Sequence, residues 1–304
     1  MGKKDLVLMV EFEGDDPDQM LWKAAGQLSL SGAQEKFPAV EDHSCLRLPR
    51  PGERSTFILK PAPWDHSLQN RRMVPVNEYL TMQIASKIFG IETAENYLCL
   101  SPKQLPVYVV RRFDIGKDGK RYQMEDFASV LGRTGEGDKS MYKYDGSYLE
   151  IAEAIRKYVP VWRLDMEKFF KMLVFNYIFS NGDAHLKNFS LITKDGERRL
   201  APAYDLLNTS LHLNGDDFAL SSALGTMHSD CCDKTGHVCR EDFEIFARAV
   251  GIPEVRCKAI LNMFSNMPSD LEDMISSSLL PPKLKRMYKR SVIERVARFN
   301  RETP

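Results

Sequence analysis

The feature that most constrains this chain is a polar run over residues 181–189, Asn-Gly-Asp-Ala-His-Leu-Lys-Asn-Phe, which Asp205 follows. Asp183, His185 and Asn188 have the spacing Asp-x-His-x-x-Asn. Phosphoryl transfer from Mg-ATP requires one carboxylate that orients the acceptor hydroxyl, and an amide and a second carboxylate that hold the metal. We therefore predict that Asp183 is catalytic and that Asn188 and Asp205 bind Mg²⁺.

The neighbouring sequence supplies the context that an isolated hexapeptide lacks. By itself an Asn-Gly-Asp run indicates a surface turn, and short polar patterns arise by chance. Residues 167–179 are apolar at helical spacing, and residues 189–193 and 198–200 predict two strands joined by an Asp-Gly turn. A helix, a polar loop, a hairpin and a second acid follow one another in the same order in the C-terminal lobe of a protein kinase.

Residues nearer the N-terminus supply the other half of such a site. The small-residue loop 28–36 has backbone N–H groups that could cradle phosphates, although it contains a single glycine. Residues 55–60 are a β-rich run that ends in Lys60, the place for a lysine that holds the α- and β-phosphates. Residues 76–80 open a helix predicted to stop at Gly90, and we expect Glu78 in its first turn to pair with Lys60.

Seven short segments together match one known family. They are Ser-Leu-Ser-Gly-Ala-Gln-Glu-Lys (29–36), Phe-Ile-Leu-Lys (57–60), Asn-Glu-Tyr (77–79), Arg-Arg-Phe-Asp (111–114), Met-Glu-Asp-Phe (124–127), Gly-Asp-Ala-His-Leu-Lys-Asn-Phe-Ser (182–190) and Pro-Ala-Tyr-Asp (202–205). In these segments the chain resembles the HipA family, bacterial serine/threonine kinases that act as toxins of toxin–antitoxin pairs. The resemblance extends from about residue 28 to the C-terminal helices.

The resemblance implies a set of site residues and the cofactors ATP and Mg²⁺. Asp183 takes the catalytic role, and Arg111 to Phe113 fall at the interlobe hinge, where backbone groups meet adenine. The residues implied in nucleotide and metal binding are Ser31, Gly32, Ala33, Gln34, Glu35, Lys36, Lys60, Glu78, Arg111, Arg112, Phe113, His185, Leu186, Lys187, Asn188, Tyr204 and Asp205.

The resemblance also implies regulation and partners. Family members autophosphorylate a loop serine and so switch themselves off, which makes Ser29 and Ser31 the expected sites; a charge of about −2 there would repel bound triphosphate. About 27 residues precede the loop, so the chain resembles the short form HipT, in which a separate small protein supplies the N-terminal subdomain of longer HipA proteins. Expected partners are antitoxin proteins and a protein substrate such as an aminoacyl-tRNA synthetase.

These patterns predict an α+β, bilobal, protein-kinase-like fold of the HipA and phosphoinositide-kinase type. Residues 1–110 form the β-rich N-lobe, 111–127 the hinge region and 128–304 the mainly helical C-lobe, which contains the catalytic loop 181–190. Further predictions are strands at 7–12, 37–40, 57–60, 97–100 and 107–110, a mobile loop at 131–144, and a docking helix with a basic solvated face at 283–301.

Composition limits the compartment and the direct partners. Lysines and arginines number 42, as do the acids, so bulk charge indicates no direct contact with nucleic acid or membrane. The apolar run 6–10 is too short for a signal peptide core, and the six cysteines include no Cys-x-x-Cys, so we expect a cytoplasmic protein. One cluster has zinc-type ligands, but its spacing is not that of a zinc finger and favours a loop: His228, Cys231, Cys232, His237 and Cys239.

Two other functions remain open from the sequence. Asp-x-His-x-x-Asn also suits a small-molecule or phosphoinositide-type lipid kinase, although the loop 29–36 and the segment 202–205 match the toxin family better. A nucleotide-binding regulator without catalysis is the second alternative. The presence of Lys60, Asp183, Asn188 and Asp205 together argues against it, because a pseudokinase commonly loses one of these residues.

Overall fold

The computed structural model describes residues 7–8, 35–116, 118–133, 141–220, 222–225 and 228–301. Residues 29–34, which include the two predicted autophosphorylation serines and four of the predicted nucleotide contacts, lie outside the described residues. Among the described residues, no helix is both long and apolar enough to cross a membrane.

The N-terminal lobe contains a six-stranded sheet. Its strands are β1 (Val7–Leu8), β2 (Phe37–Asp42), β3 (Cys45–Arg47), β4 (Phe57–Lys60), β5 (Asn96–Leu100) and β6 (Pro106–Arg111). They lie in the order β1-β3-β2-β4-β6-β5, and every pair is antiparallel except β1 with β3. The predicted strands at 37–40, 57–60, 97–100 and 107–110 are confirmed with small extensions, whereas β3 was not predicted.

The register of the central strands sets the position of Lys60. β4 is short and apolar, and it lies between β2 and β6. Lys60 at its end pairs with Tyr108 of β6. The ammonium of Lys60 lies 5.4 Å from the centre of the Tyr108 ring. Both residues are buried. The last residue of the strand therefore points into the protein and not into solvent.

Helix α1 (Val74–Lys87) packs against β5 and β6. Pro75 stands in its first turn, where a missing N–H costs nothing, and the chain turns away at Gly90, whose φ is +58°. The helix is buried on several sides, and its buried residues include the polar Asn77, Glu78 and Thr81. A buried polar residue requires a partner, and for these three the partners lie in β4 and in the C-terminal lobe.

The C-terminal lobe is mainly helical. Its helices are α2 (Phe127–Val130), α3 (Tyr148–Tyr158), α4 (Trp162–Ile178), α5 (Asp230–Thr235), α6 (Arg240–Ala249), α7 (Glu254–Asn262), α8 (Ser269–Ser277) and α9 (Pro282–Phe299). Ser147 and Glu150 form a capping box that begins α3. α4 is the central helix, and Phe169, Phe175 and Tyr177 on it are fully buried. α9 confirms the predicted docking helix, because it buries Leu284, Tyr288, Val292 and Phe299.

A three-stranded antiparallel sheet joins the lobes. It consists of β7 (Gln123–Asp126), β8 (Ser190–Lys194) and β9 (Glu197–Leu200), in the order β7-β8-β9. Asp195 and Gly196 form the turn between β8 and β9 with positive φ at both positions, as the Asp-Gly pair predicted. The predicted catalytic loop, called the catalytic loop below, therefore lies between the end of α4 and the start of β8.

Two sequence-based expectations for loops are corrected. Residues 141–144 were predicted to belong to a mobile loop, but they form turns that contact the catalytic loop, because tyrosine hydroxyls and a backbone carbonyl bind there. Residues 134–140 lie outside the described residues. The cysteine cluster was predicted to be a loop, but Ser229 caps the short helix α5, which contains Cys231 and Cys232.

Candidate active site

Lys60 lies between two carboxylates at the junction of the lobes. Its Nζ is 2.6 Å from Oε1 of Glu78 and also donates a hydrogen bond to Oδ1 of Asp205. Lys60 is 2% exposed and Glu78 is 1% exposed, so this ion pair is almost fully withdrawn from water. Burial alone would lower the pKa of Lys60, but Asp205 and Glu78 outweigh it and raise that pKa. The lysine is therefore a permanent cation.

Asp205 is the more accessible acid of this group. Its side chain is 22% exposed, and Lys36 Nζ lies 3.2 Å from its Oδ2. Burial would raise the pKa of Asp205, but the ammonium groups of Lys36 and Lys60 hold it below the usual range of an aspartate. Burial raises the pKa of Glu78 instead, against the attraction of Lys60. Of the two acids, Asp205 thus carries the negative charge more firmly and is open to the cleft.

The backbone at Asp205 adopts an unusual conformation. Its φ is +56°, in the left-handed region that non-glycine residues rarely occupy. The preceding segment is fixed by the bridge of Ala203 with Thr93 and by the bond from Ala203 N to Glu92 O, 2.8 Å. Strained backbone of this kind persists where neighbouring contacts determine it, and it is common at functional sites. Here it turns the Asp205 carboxylate toward Lys60.

The catalytic loop is held by its own polar residues. Asn181 donates from its backbone N–H to Asn176 O (2.8 Å) and from its amide to Asn176 Oδ1 (2.9 Å) at the end of α4. Thr209 Oγ1 accepts from Gly182 N at 3.0 Å and donates to Ser180 O at 2.8 Å. The loop is therefore tied to the helix before it and to the segment after Asp205. Asp183 and Asp205 are positioned by one connected structure.

Asp183 is hydrogen-bonded to a residue that the sequence did not nominate. Tyr144 Oη donates to Asp183 Oδ1 at 2.8 Å. Tyr142 Oη lies 3.2 Å from Lys187 Nζ, and Leu186 N donates to Lys143 O at 3.1 Å. Burial lowers the pKa of Lys143, whose ammonium is within electrostatic range of Asp183 and Asp205. Residues 142–144 show no periodicity and match no known motif spacing. The only signal in the sequence is that two tyrosines and a lysine stand in a row.

His185 contributes structure more than charge. The residue is 7% exposed, and burial lowers the pKa of its imidazole to about 4. Its ring contacts Tyr144 edge to face, with 5.2 Å between centres. His185 N donates to Asn188 Oδ1 at 3.1 Å, which closes the turn Leu186–Asn188. His185 is therefore neutral near pH 7 and shapes the loop.

The hinge residues occupy different environments. β6 ends at Arg111, whose N–H donates to Glu95 O, and Arg112 N–H donates to Thr56 O. These two N–H groups are engaged with the sheet, so they are not available to an adenine ring. Phe113 instead packs against Tyr204, with 5.8 Å between ring centres. Tyr204 Oη donates to Lys187 O at 2.9 Å, which fixes the aromatic pair beside the catalytic loop.

The described residues suit a polyanion with a divalent cation. The cleft side chains carry more positive than negative charge: Lys36, Lys60, Lys143 and Lys187 against Glu78, Asp183 and Asp205. Two ammonium groups already contact Asp205, which shows that this carboxylate attracts cations, and carboxylate and amide oxygens are the ligands that Mg²⁺ prefers. Asn188 presents its nitrogen to Asp205 at 3.4 Å, while its oxygen accepts from His185.

Glu35 and Leu186, two other predicted nucleotide contacts, have structural partners. Glu35 Oε2 accepts a hydrogen bond from Trp64 N at 3.0 Å, and Leu186 is fully buried. Glu35 is therefore bonded to the segment at Trp64, and Leu186 belongs to the hydrophobic core.

Of the residues with zinc-type ligands, His228 and Cys232 lie close together, and Asp242 lies beside them. Ligand atoms of His228, Cys232 and Asp242 lie within 4.8 Å of one another. Both Asp242 oxygens already accept backbone N–H groups, from Ser229 at 2.7 Å and from Cys239 at 2.8 Å. Capping of α6 is thus sufficient to explain the acid.

One family model matches most of the chain, and the similar proteins are named as kinases. The family model of the HipA-like C-terminal domain matches residues 28–271. The protein "Putative kinase Y4dM" of Sinorhizobium fredii is 34% identical over 230 residues, which are 68% of this chain and 53% of that protein. "Putative kinase Y4mE" of the same organism is 33% identical over 192 residues, 60% of this chain and 43% of that protein. The chain thus spans about half the length of these curated relatives.

Two solved structures share the fold. The toxin HipA of Shewanella oneidensis, solved in complex with HipB and operator DNA, has a TM-score of 0.67 at 19% identity, over 90% of this chain and 65% of that one. The Helicobacter pylori proinflammatory kinase CtkA has a TM-score of 0.54 at 16% identity, over 86% and 90%. The predicted bilobal, kinase-like α+β fold is confirmed. With 28–271 matched by the family model, the chain belongs to the HipA-like C-terminal domain family.

Proposed function

We propose that this protein is a Mg-ATP-dependent serine/threonine protein kinase of the HipA toxin type. The observation that carries the proposal is the meeting of Lys60, Glu78 and Asp205 in one buried contact, beside the catalytic loop that holds Asp183. A phosphate-binding lysine, its orienting glutamate, an acid for the metal and an acid for the acceptor are the parts that phosphoryl transfer requires. Membership of the HipA-like family and kinase-named relatives support the same activity.

Each residue has a defined task in this reaction. Lys60, held by Glu78, binds the α- and β-phosphates, and Lys36 closes over them from the loop. Asn188 and Asp205 would hold Mg²⁺, which neutralises charge on the phosphates when it is bound. Lys143 and Lys187 add positive charge at the mouth of the cleft.

Asp183 orients the acceptor hydroxyl and receives its proton. The hydroxyl oxygen forms a bond to the γ-phosphorus, the bond from that phosphorus to the bridging oxygen breaks, and ADP leaves with the electron pair. The residues act by positioning and by electrostatic stabilisation, so loss of one acid removes turnover without removing nucleotide binding.

The partners and substrates follow from the relatives as proposals. The HipA of Shewanella oneidensis is bound to HipB and operator DNA, so we expect a small antitoxin partner that brings a DNA-binding surface. An aminoacyl-tRNA synthetase or another translation factor is the proposed substrate. Autophosphorylation at Ser29 or Ser31 is the proposed means of self-inactivation, since a doubly charged group would repel triphosphate.

The test is transfer of label from [γ-³²P]ATP into protein of a bacterial lysate. The wild type is compared with Asp183→Asn, and Asp195→Asn in the turn between β8 and β9 serves as a matched control. We expect one labelled lysate protein with the wild type and with the control, and none with Asp183→Asn. Full activity of Asp183→Asn would refute the assignment of the catalytic acid, and label in lipid or small metabolites would favour a small-molecule kinase.

A further inference from the structure

Residues 141–146 form a brace on the catalytic loop, and we use the term brace for these residues. Three bonds attach it: Tyr144 Oη to Asp183 Oδ1 at 2.8 Å, Leu186 N to Lys143 O at 3.1 Å, and Lys187 Nζ to Tyr142 Oη at 3.2 Å. The brace then continues into α3, whose first residue, Tyr148, donates from its hydroxyl to Ala184 O at 2.9 Å. Each residue from Asp183 to Leu186 thus contacts the segment 143–148. Lys187, the next residue, contacts Tyr142.

Tyr144 occupies the most consequential of these positions. Its hydroxyl is the hydrogen-bond donor to the acid that the proposed reaction requires. Its ring packs edge to face on His185, and the ammonium of Lys143 lies 4.9 Å from the ring centre. Burial and the neighbouring Asp183 raise the pKa of Tyr144, so the hydroxyl keeps its proton and remains a donor. This bond engages Oδ1 of Asp183, and no described residue donates a hydrogen bond to its Oδ2.

We propose that Tyr144 is a positioning residue for phosphoryl transfer, which holds the Asp183 carboxylate in the orientation that receives the acceptor hydroxyl. The inference rests on the proposed kinase function. A carboxylate on a two-bond side chain rotates freely unless a donor fixes one oxygen, and misplacement of a reacting group by about 1 Å can cost a hundredfold in rate. Tyr144 supplies that donor, and His185 fixes the ring that carries it.

The attachment of the brace argues against an inhibitory role for the same contact. A tyrosine hydroxyl beside the catalytic acid could also imitate an acceptor and block the site. Such a block must leave before catalysis, but Tyr142 Oη and Lys143 O before Tyr144 and Tyr148 Oη after it are all bonded to the same loop. The brace is therefore attached to the catalytic loop at several points besides the Tyr144 hydroxyl, which favours a contact that is kept during the reaction.

The experiment is Tyr144→Phe, which removes the hydroxyl and keeps the ring on His185. Tyr97→Phe is the matched control, because Tyr97 Oη also donates to a carboxylate, Glu95, but on β5 outside the cleft. We expect kcat of Tyr144→Phe to fall by about tenfold to a hundredfold, the range for loss of a hydrogen bond to a charged group. The affinity for ADP, the KM for ATP and the melting temperature should stay those of the wild type, and the control should match the wild type throughout.

A second measurement does not depend on activity. Hydrogen–deuterium exchange of residues 182–187 should accelerate in Tyr144→Phe and not in Tyr97→Phe. An unchanged kcat in Tyr144→Phe would overturn the inference. An increased kcat would also overturn it and would indicate that Tyr144 blocks the site. A loss confined to ADP affinity would overturn it as well. If the wild type transfers no phosphate but exchange accelerates in Tyr144→Phe, the proposed function fails and only the coupling of Tyr144 to the loop stands. If exchange is unaltered in Tyr144→Phe, that coupling is overturned as well.

Discussion

Gly182 shows how closely the catalytic loop is packed at the scale of single residues. A Cβ at this position would lie 2.8 Å from the backbone oxygen of Asp216 and 3.3 Å from Thr209 Oγ1. A backbone atom cannot rotate away as a side chain can, so Gly182→Ala must shift the loop that carries Asp183. We expect a loss of stability of about 1 to 3 kcal/mol and a fall in kcat of about a hundredfold, measured by urea unfolding and by phosphoryl transfer.

A nearby glycine provides the control. At Gly215 a Cβ would meet no atom within 4 Å, and no positive φ restricts the position. Gly215→Ala should therefore leave both stability and kcat near the wild-type values. Equal behaviour of the two variants would mean that the contact with Asp216 does not constrain the loop.

Sequence reasoning could nominate the candidate site residues whose chemistry has a known spacing. Lys60, Asp183 and Asp205 were each predicted from the order of their segments; the structure joins Lys60 to Asp205 and places Asp183 and Asp205 within electrostatic range of one ammonium, that of Lys143. Tyr144 and Lys143 were missed because their roles depend on the fold of an irregular segment onto the loop, which no periodicity encodes. Backbone groups of the hinge were expected to meet adenine; the N–H groups of Arg111 and Arg112 already donate to Glu95 O and Thr56 O, which only the strand pairing reveals.

At the scale of elements, one buried ion pair joins β4 to α1. Lys60 and Glu78 are each almost fully buried, and Glu78 contacts the ammonium of Lys60 at 2.6 Å. Lys60→Met would leave the Glu78 carboxylate buried without its cation. We expect a loss of unfolding free energy of about 3 to 5 kcal/mol together with loss of phosphoryl transfer.

A double variant separates these two consequences. In Lys60→Met/Glu78→Leu the uncompensated charge is gone, and replacement of a buried ion pair by apolar residues is often neutral for stability. The free energy of unfolding should therefore recover most of the way. Phosphoryl transfer should stay absent, because Lys60, the residue proposed to bind the phosphates, is still missing. A double variant as unstable as the single one would show that shape, and not the unpaired charge, determines the cost.

The elements themselves were predictable where one pattern dominates. α1, α4 and α9 have long apolar repeats and a clear stop, and the hairpin β8–β9 has an Asp-Gly turn. β3 has only three residues, too few for alternation to show, and β7 has no buried residue among its four, so neither has an apolar pattern to predict it. The partner of β7 lies far along the chain in β8, whereas β3 pairs with β2 across the tight turn at His43 and Ser44.

Across the whole molecule, His212 links the N-terminal helix α1 to the C-terminal lobe. Its Nδ1 lies 2.8 Å from Gln69 O, and its Nε2 lies 2.9 Å from Asn77 Nδ2. Asn208 fixes the orientation of the Asn77 amide, because it accepts from Asn77 Nδ2 through its carbonyl and donates to Asn77 Oδ1 through its N–H. Asn77 is therefore the donor, His212 Nε2 the acceptor, and the imidazole neutral.

This arrangement makes the joining of the lobes sensitive to acid. Burial lowers the pKa of His212 below its ordinary value of 6.5, so between the two values the unfolded chain binds a proton that the folded chain does not. The contribution of the neutral histidine to stability is complete above pH 6.5 and is lost as the pH falls below it. Urea unfolding at pH 7.5 and 5.5 should show a smaller decrease in His212→Gln than in the wild type. His43→Gln, at a side chain that is 94% exposed, should decrease as the wild type does. A decrease of wild-type size in His212→Gln would place the acid sensitivity elsewhere and leave the contact between Asn77 and His212 without a role in it.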